Sequence, residues 1–136
     1  MNYREFVGQA QHRLELDELG PTVRVIRAVL TTLGERVDPG EATDLASPLP
    51  MEIDRYLIEA AERGGEKFSF DEFLRRVSER ADLGRSTANY YTQTVLGLVA
   101  DVVPPGNIEK IRNQLPDEFE PIFTFVDEPH PQTRSG

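Results

Sequence analysis

The sequence predicts an all-α protein of about eight helices, arranged as two pseudo-symmetric repeats of four helices each. Apolar residues recur every three or four positions through most of the chain, which is typical of amphipathic helices. No segment alternates apolar and polar residues for long enough to predict a strand. The apolar pattern of the first half recurs in the second half, which indicates an internal duplication.

The duplication is clearest where the two halves share short stretches of similar sequence. Residues 3–7 align with residues 70–74, and residues 37–40 align with residues 103–106. The copies span 2–57 and 69–123; their apolar positions correspond while their polar positions vary, as expected from a shared packing geometry.

The first helix of each copy begins with a predicted capping box. In Asn2-x-x-Glu5 and Ser69-x-x-Glu72 the cap side chain accepts from the amide three residues on, and the glutamate reaches back to the cap amide. The second helix of each copy is longer and carries one apolar stripe. The stripe residues are Val23, Ile26, Leu30, Leu33 and Val37 in copy one, and Tyr91, Val95, Leu98 and Val102 in copy two.

Two shorter helices complete each copy. Proline-containing turns end the long helices, because proline cannot continue the hydrogen-bond ladder. The third helices are predicted over 41–46 and 107–113. The fourth helices begin after a proline and are predicted over 51–60 and 117–122. Gly97 puts a weak point inside the long helix of copy two.

The chain divides into four predicted regions. Residues 1–58 form repeat one, 59–68 a linker, 69–126 repeat two and 127–136 a flexible tail. The linker is polar and contains adjacent glycines. The tail contains two prolines and ends in small polar residues, so we expect it to be disordered.

Composition excludes several classes of protein. The 136 residues contain no cysteine, which removes disulfides, zinc knuckles, iron–sulfur ligation and thiol catalysis. No apolar run is long enough to cross a bilayer, and the N-terminus lacks the pattern of a secretory signal. We therefore expect a soluble, cytoplasmic protein without membrane contact.

The charge is strongly negative and almost all cations are arginines. Lys and Arg number 15 against 24 Asp and Glu, a net charge of −9, which repels phosphate backbones. Nucleic-acid binding is therefore not favoured. Abundant carboxylates with two lysines suit either a cytoplasm of molar salt or a GC-rich genome, and a melting series in KCl separates these alternatives.

The combined motifs resemble the uncharacterised prokaryotic family catalogued as domain of unknown function 2267. The resemblance rests on Tyr3-x-x-Phe6, the helix at 27–37, Pro39-Gly40-Glu41 and Leu49-Pro50, and on their counterparts in residues 70–119. It covers 2–123 and implies a duplicated helical domain. It implies no activity, because the family has none established.

A second resemblance concerns residues 1–41, which are similar to the opening helix pair of the histone-like DNA-binding protein HU. In that family the basic β-arms that follow the helices contact DNA. Residues 42–48 contain no arm and no basic residue, so the part that would bind DNA is missing.

Candidate chemistry is sparse. His12 and His130 are isolated, and no calcium loop, ferritin-like motif, phosphate-binding loop or nucleophile elbow is present. We therefore predict no catalytic residue, metal, cofactor or small-molecule substrate.

Two clusters remain as candidate binding residues. Arg75, Arg76 and Arg80 form the densest basic cluster and predict an anion contact, unless they pair with Asp71, Glu72 and Glu79 on the same helix. Phe119, Phe123 and Phe125 make the last helix apolar; they fill the core or, where exposed, mark a partner surface.

The sequence thus predicts a non-enzymatic helical module that acts through a protein partner or self-association and is stress- or salt-adapted. The alternative is a nucleic-acid or nucleoid-associated protein acting through the HU-like helix pair. A gel-shift series at low and high salt discriminates between the two.

Overall fold

The computed structural model describes residues 1–128 and is all-α over that part of the chain, as predicted. It contains eight α-helices and one 3₁₀ helix, with no strand among the described residues. The elements are α1 Tyr3–Leu14, α2 Leu19–Arg36, α3 Pro39–Ala46, α4 Met51–Ala61, α5 Phe70–Ala81, α6 Arg85–Val102, α7 Pro105–Asn113, the 3₁₀ helix Asp117–Phe123 and α8 Thr124–Asp127.

The two halves run through the same order of helices with matched lengths. Helices α1 and α5 have 12 residues each, and α2 and α6 have 18 each. Helices α3 and α7 both begin at a proline, two residues before the predicted starts, because proline is well suited to the first turn. The internal duplication itself stays a prediction.

The fourth segments of the two halves differ. Copy one has the 11-residue α4, whereas copy two has a 3₁₀ helix followed by the four-residue α8. Pro121 lies inside the 3₁₀ helix and has no amide hydrogen to donate there. The prediction of a helix over 117–122 is therefore correct in position, but the helix type differs.

A single hydrophobic core spans both halves. Helix α2 lies at its centre and packs against α1, α3, α4, α5 and α6. The predicted apolar stripes face inward, and the largest fully buried side chains include Phe6, Phe73, Phe119 and Phe123. The two halves therefore share one core rather than each enclosing its own.

Gly97 allows a close contact within that core. A Cβ atom at this position would lie 2.9 Å from the Cβ of Phe125, which is closer than real Cβ contacts. The predicted weak point in α6 is therefore the position where α8 approaches the helix backbone. Gly34 has the same role in α2, where a Cβ would lie 2.8 Å from that of Ala60.

The two predicted capping boxes have different outcomes. At α1 both bonds form: the Glu5 amide donates to Asn2 Oδ1 at 2.8 Å, and the Asn2 amide donates to the Glu5 carboxylate at 3.3 Å. At α5 the Glu72 amide donates to Ser69 Oγ at 3.1 Å, but the Glu72 carboxylate accepts from Arg75 and Arg76 instead. Two charged donors replace one neutral amide as its partners.

The segment between the halves is fixed along the end of α2. The Gly65 amide donates to the Val37 carbonyl at 2.9 Å, and the Glu66 amide donates to the Glu35 carbonyl at 3.0 Å. Gly65 has φ 84°, a backbone conformation that glycine adopts without strain. Residues 59–61 of the predicted linker belong to α4.

None of the helices within residues 1–128 is long and apolar enough to cross a membrane. Helix α8 ends at Asp127, the first residue of the predicted tail. Most of that predicted tail, including His130, lies outside the described residues.

Candidate binding cleft along helix α2

The carboxylate of Glu35 lies buried in the last turn of α2 and is bound by arginines from other parts of the fold. Its side chain is 4% exposed. Arg80 of α5 donates to both carboxylate oxygens at 2.9 and 3.0 Å, and Arg76 donates to one at 3.0 Å. Arg63, just after α4, adds a longer contact at 3.5 Å. Glu35 thus connects α2 to α5 and to the segment between the halves.

This arginine set keeps Glu35 ionised. Burial alone would raise the pKa of Glu35, but hydrogen bonds and positive charge from Arg80 and then from Arg76 outweigh it, and the pKa is lowered. Arg80 also donates to Thr32 Oγ1 at 2.9 Å. A buried carboxylate with this many charged donors is a structural ion pair rather than a proton donor.

A second ion pair joins the halves in the reverse direction. Arg13 of α1 donates to Asp101 of α6 at 2.6 Å. In the alignment of the repeats Arg13 corresponds to Arg80, and Asp101 corresponds to Glu35. Each half therefore gives an arginine from its first helix to an acid on the second helix of the other half.

Arg36 is buried beside the Glu35 cluster. Its Nε donates to the Phe68 carbonyl at 2.8 Å, and its guanidinium lies 5.0 Å from the ring centroid of Phe119. Burial lowers the pKa of Arg36, and the charges of Glu118 and Asp38 oppose that shift. Its Nη1 has no hydrogen-bond partner among the described residues.

Next to this cluster an open cleft runs along the exposed face of α2. It consists of two adjoining cavities of about 560 and 470 Å³ that share Arg27, Thr31 and Arg63. We call it the α2 cleft. Its further lining residues are Arg24, Ala28 and Glu35 of α2, Met51, Glu52, Arg55, Tyr56, Glu59 and Ala60 of α4, and Arg80 of α5.

Three arginines of the α2 cleft have no carboxylate partner among residues 1–128: Arg24, Arg27 and Arg55. Arg24 donates to the Arg80 carbonyl at 3.1 Å, near the end of α5. The Arg27 guanidinium lies 5.9 Å from the ring centroid of Tyr56, and the hydrogen-bond donors of Arg27 and Arg55 have no described acceptor. The α2 cleft therefore presents available guanidinium groups on a protein of charge −9.

An apolar surface borders these arginines. Met51 at the start of α4 is 73% exposed. Tyr56 is half-buried, and burial raises its pKa. The α2 cleft thus combines an exposed thioether, an aromatic ring and unpaired cations.

The predicted basic cluster forms ion pairs within the protein. Arg75 donates to Glu72 at 2.7 Å and to Glu79 at 2.6 Å, the pairing that the helix spacing predicts. Arg76 pairs with both Glu72 on its own helix and Glu35, Arg80 turns toward Glu35, and Asp71 pairs with Arg85. Hydrogen bonds from Arg75 and then Arg76 lower the pKa of Glu72 to about 2. Of the three arginines, Arg80 lines the α2 cleft.

The predicted aromatic surface is mainly core. Phe119 and Phe123 are fully buried, so the condition that they be exposed to bind a partner is not met. Phe119 packs edge-to-face on Phe70 and Phe73, with ring centroids 5.3 and 5.8 Å apart. Phe125 is half-buried and contacts Tyr90 at 5.7 Å. Phe119 and Phe123 therefore follow the first of the two predicted alternatives, filling of the core.

Sequence reasoning missed both Glu35 and the α2 cleft. The signal for Glu35 was the uncharged run before it at 28–34, which is typical of a helix buried on all sides. The signal for the cleft was Arg24, Arg27 and Thr31, which share one face of α2 at helical spacing. Their lack of acidic partners depends on how α4 and α5 pack and cannot be seen in the sequence.

No group of three or more His, Asp or Glu residues within 1–128 could hold a metal ion. His12 lies exposed in the last turn of α1.

A family model described as "Uncharacterized conserved protein (DUF2267)" matches residues 3–122. No curated protein matches the chain significantly.

Proposed function

This chain belongs to the DUF2267 family of uncharacterized conserved proteins, and we propose that it is a non-enzymatic helical module. We propose further that it binds a protein partner through the α2 cleft. The family membership itself assigns no activity.

The observation that carries the proposal is the composition of the cleft. Arginine, tyrosine and methionine are enriched in protein interfaces, and arginine and tyrosine frequently contribute most of the binding energy. Here Arg27, Arg55, Tyr56 and the exposed Met51 lie together on one concave surface. A partner that covers them would bury apolar area and supply acceptors for donors that residues 1–128 leave unbound.

The proposed absence of catalysis rests on the residues of the cleft. Of the three carboxylates that line it, Glu35 is held ionised by hydrogen bonds from two arginines and Glu52 and Glu59 are exposed, and no cysteine exists in the chain to act as a nucleophile. Charge recognition needs none of these groups to react.

A photo-crosslinking experiment tests the site. Glu59 is an exposed residue of α4 that lines the α2 cleft, and it has no ion pair among the described residues. We replace Glu59 with benzoylphenylalanine in the full chain and irradiate cells that produce it. We expect a discrete crosslinked protein that is lost when Arg27→Glu and Arg55→Glu are added.

The matched control is Glu109, an exposed glutamate of α7 outside the cleft. The same photoreactive residue at Glu109 should not capture that protein. Equal capture from both positions, or no discrete product from Glu59, would contradict the proposal. A product with twice the mass of the chain identifies the partner as a second copy.

A further inference from the structure

The charge pattern of the α2 cleft indicates which chemistry its partner presents. The protein as a whole has a charge of −9, yet five arginines line this one surface. Glu35 neutralises part of the charge of Arg63 and Arg80. Arg27 and Arg55 keep both their charge and their donors, and a guanidinium binds a carboxylate with two parallel hydrogen bonds.

The cleft also contains features that disfavour a polyphosphate. Glu52 and Glu59 line it beside the arginines and would repel a strand with a charge on every unit. Met51 and Tyr56 offer apolar contact for a side chain. A ligand with separated negative charges and at least one apolar group fits this mixture better than nucleic acid.

The length of the cleft matches a short polypeptide. From Arg24 to Glu35 it follows α2 for three helical turns, or about 16 Å at 1.5 Å per residue. An extended peptide covers that distance with about five residues at about 3.3 Å each.

We infer that the α2 cleft binds an acidic polypeptide segment of the partner, with carboxylate side chains on Arg27 and Arg55 and an apolar side chain between Met51 and Tyr56. This inference rests on the proposed function and specifies the chemical class of the partner. The segment supplies the acceptors that these guanidiniums lack among residues 1–128.

Fluorescence anisotropy with defined probes tests the inference on the full chain. The probe is a labelled peptide of about eight residues, the span of the cleft plus flanks, with four glutamates and one leucine. We expect it to bind at low salt and to weaken about tenfold from about 0.05 to about 0.3 M NaCl, because screening shortens the reach of the charges. The same peptide with lysine in place of glutamate should not bind.

Paired charge variants locate the binding. Arg27→Gln with Arg55→Gln should weaken the glutamate peptide about tenfold or more, since two charge-assisted contacts are lost. Arg4→Gln with Arg85→Gln changes the net charge equally at exposed positions outside the cleft and should leave binding unchanged. Circular dichroism and the melting temperature establish that both variants are folded.

Several outcomes would overturn the inference. These are no binding of the glutamate peptide, equal loss in both double variants, tighter binding of a single-stranded oligonucleotide, or displacement by inorganic phosphate at a concentration similar to that of the peptide. Photo-crosslinking from Glu59 tests the proposed function separately. If it captures a discrete partner but the glutamate peptide does not bind, the proposed function stands and the inference that the partner presents an acidic segment is wrong.

Discussion

At the scale of single residues, aligned positions of the two halves carry ion pairs of unequal burial. Glu35 is 4% exposed and receives several donors, whereas Asp101 is 58% exposed and receives one arginine. We expect Glu35→Gln to lower the free energy of unfolding by about 1–3 kcal/mol, because it removes the buried charge that Arg76 and Arg80 share, and Arg80 has no other carboxylate partner among residues 1–128.

The aligned variant Asp101→Asn should cost less, about 0–1 kcal/mol, because its carboxylate is largely in water. Urea unfolding of both variants beside the parent protein measures the two values. Equal costs would show that burial of the Glu35 pair contributes nothing to its strength.

The same carboxylates predict a dependence of stability on pH. The pKa of Glu35 is lowered, and that of Glu72 is lowered to about 2 from 4.5. Carboxyls with a lower pKa in the folded state stabilise it above their unfolded pKa, and this stabilisation is lost as pH falls through the folded pKa. Stability should therefore decline as pH falls from about 4.5 toward about 2.

Urea unfolding at a series of pH values measures this decline. Glu35→Gln and Glu72→Gln should each make it shallower, because each variant removes one of the protons taken up. If the free energy of unfolding fell with pH as steeply in both variants as in the parent protein, Glu35 and Glu72 would not be the source of the decline.

Glycine 97 gives a prediction with a built-in control. Gly97→Ala places a Cβ 2.9 Å from that of Phe125, and we expect it to destabilise the protein by about 1–3 kcal/mol through overpacking. Gly8→Ala in α1 meets nothing within 4 Å and should stabilise by up to about 1 kcal/mol, the helix propensity of alanine over glycine. Melting temperatures that move in the same direction for both would contradict the packing explanation.

At the scale of elements, the sequence was informative wherever a helix is decided by local residues. The Asn2 cap, the apolar stripes, the prolines that begin α3 and α7 and the proline before α4 identify these helices by interactions within a few positions. The segment after Pro116 was less predictable, because the inclusion of Pro121 in a 3₁₀ helix and the turn into α8 depend on packing against α6.

The candidate site was less predictable than the helices. The same spacing that pairs Arg75 with Glu72 and Glu79, and Arg76 with Glu72, also allowed Arg80 to pair within α5. The contacts of Arg76 and Arg80 with Glu35 depend on the position of α2 against α5 and join residues more than 40 positions apart. Helical spacing assigns a residue to a face of its helix, but it does not show which helix packs there.

At the scale of the whole molecule, one core predicts one unfolding transition. The buried apolar side chains form one cluster that includes residues of both halves, from Phe6 in α1 to Phe123 in the 3₁₀ helix. We expect scanning calorimetry of the full chain to show a single peak whose calorimetric and van't Hoff enthalpies agree. Two resolved peaks would show that the halves unfold as separate units.

The salt adaptation suggested by the composition stays a prediction at this scale. A charge of −9 repels itself at low ionic strength, and salt screens that repulsion. We expect the melting temperature to rise from low to molar KCl. A fall or no change would leave the GC-rich genome as the explanation of the composition.

The two ion pairs between Arg13 and Asp101 and between Arg80 and Glu35 link the halves in both directions. Arg13 reaches an acid on the second half, and Arg80 reaches one on the first. Each half thus contributes one arginine and one acid to these two ion pairs. A substitution at either acid therefore removes a contact between the halves and not a contact within one half.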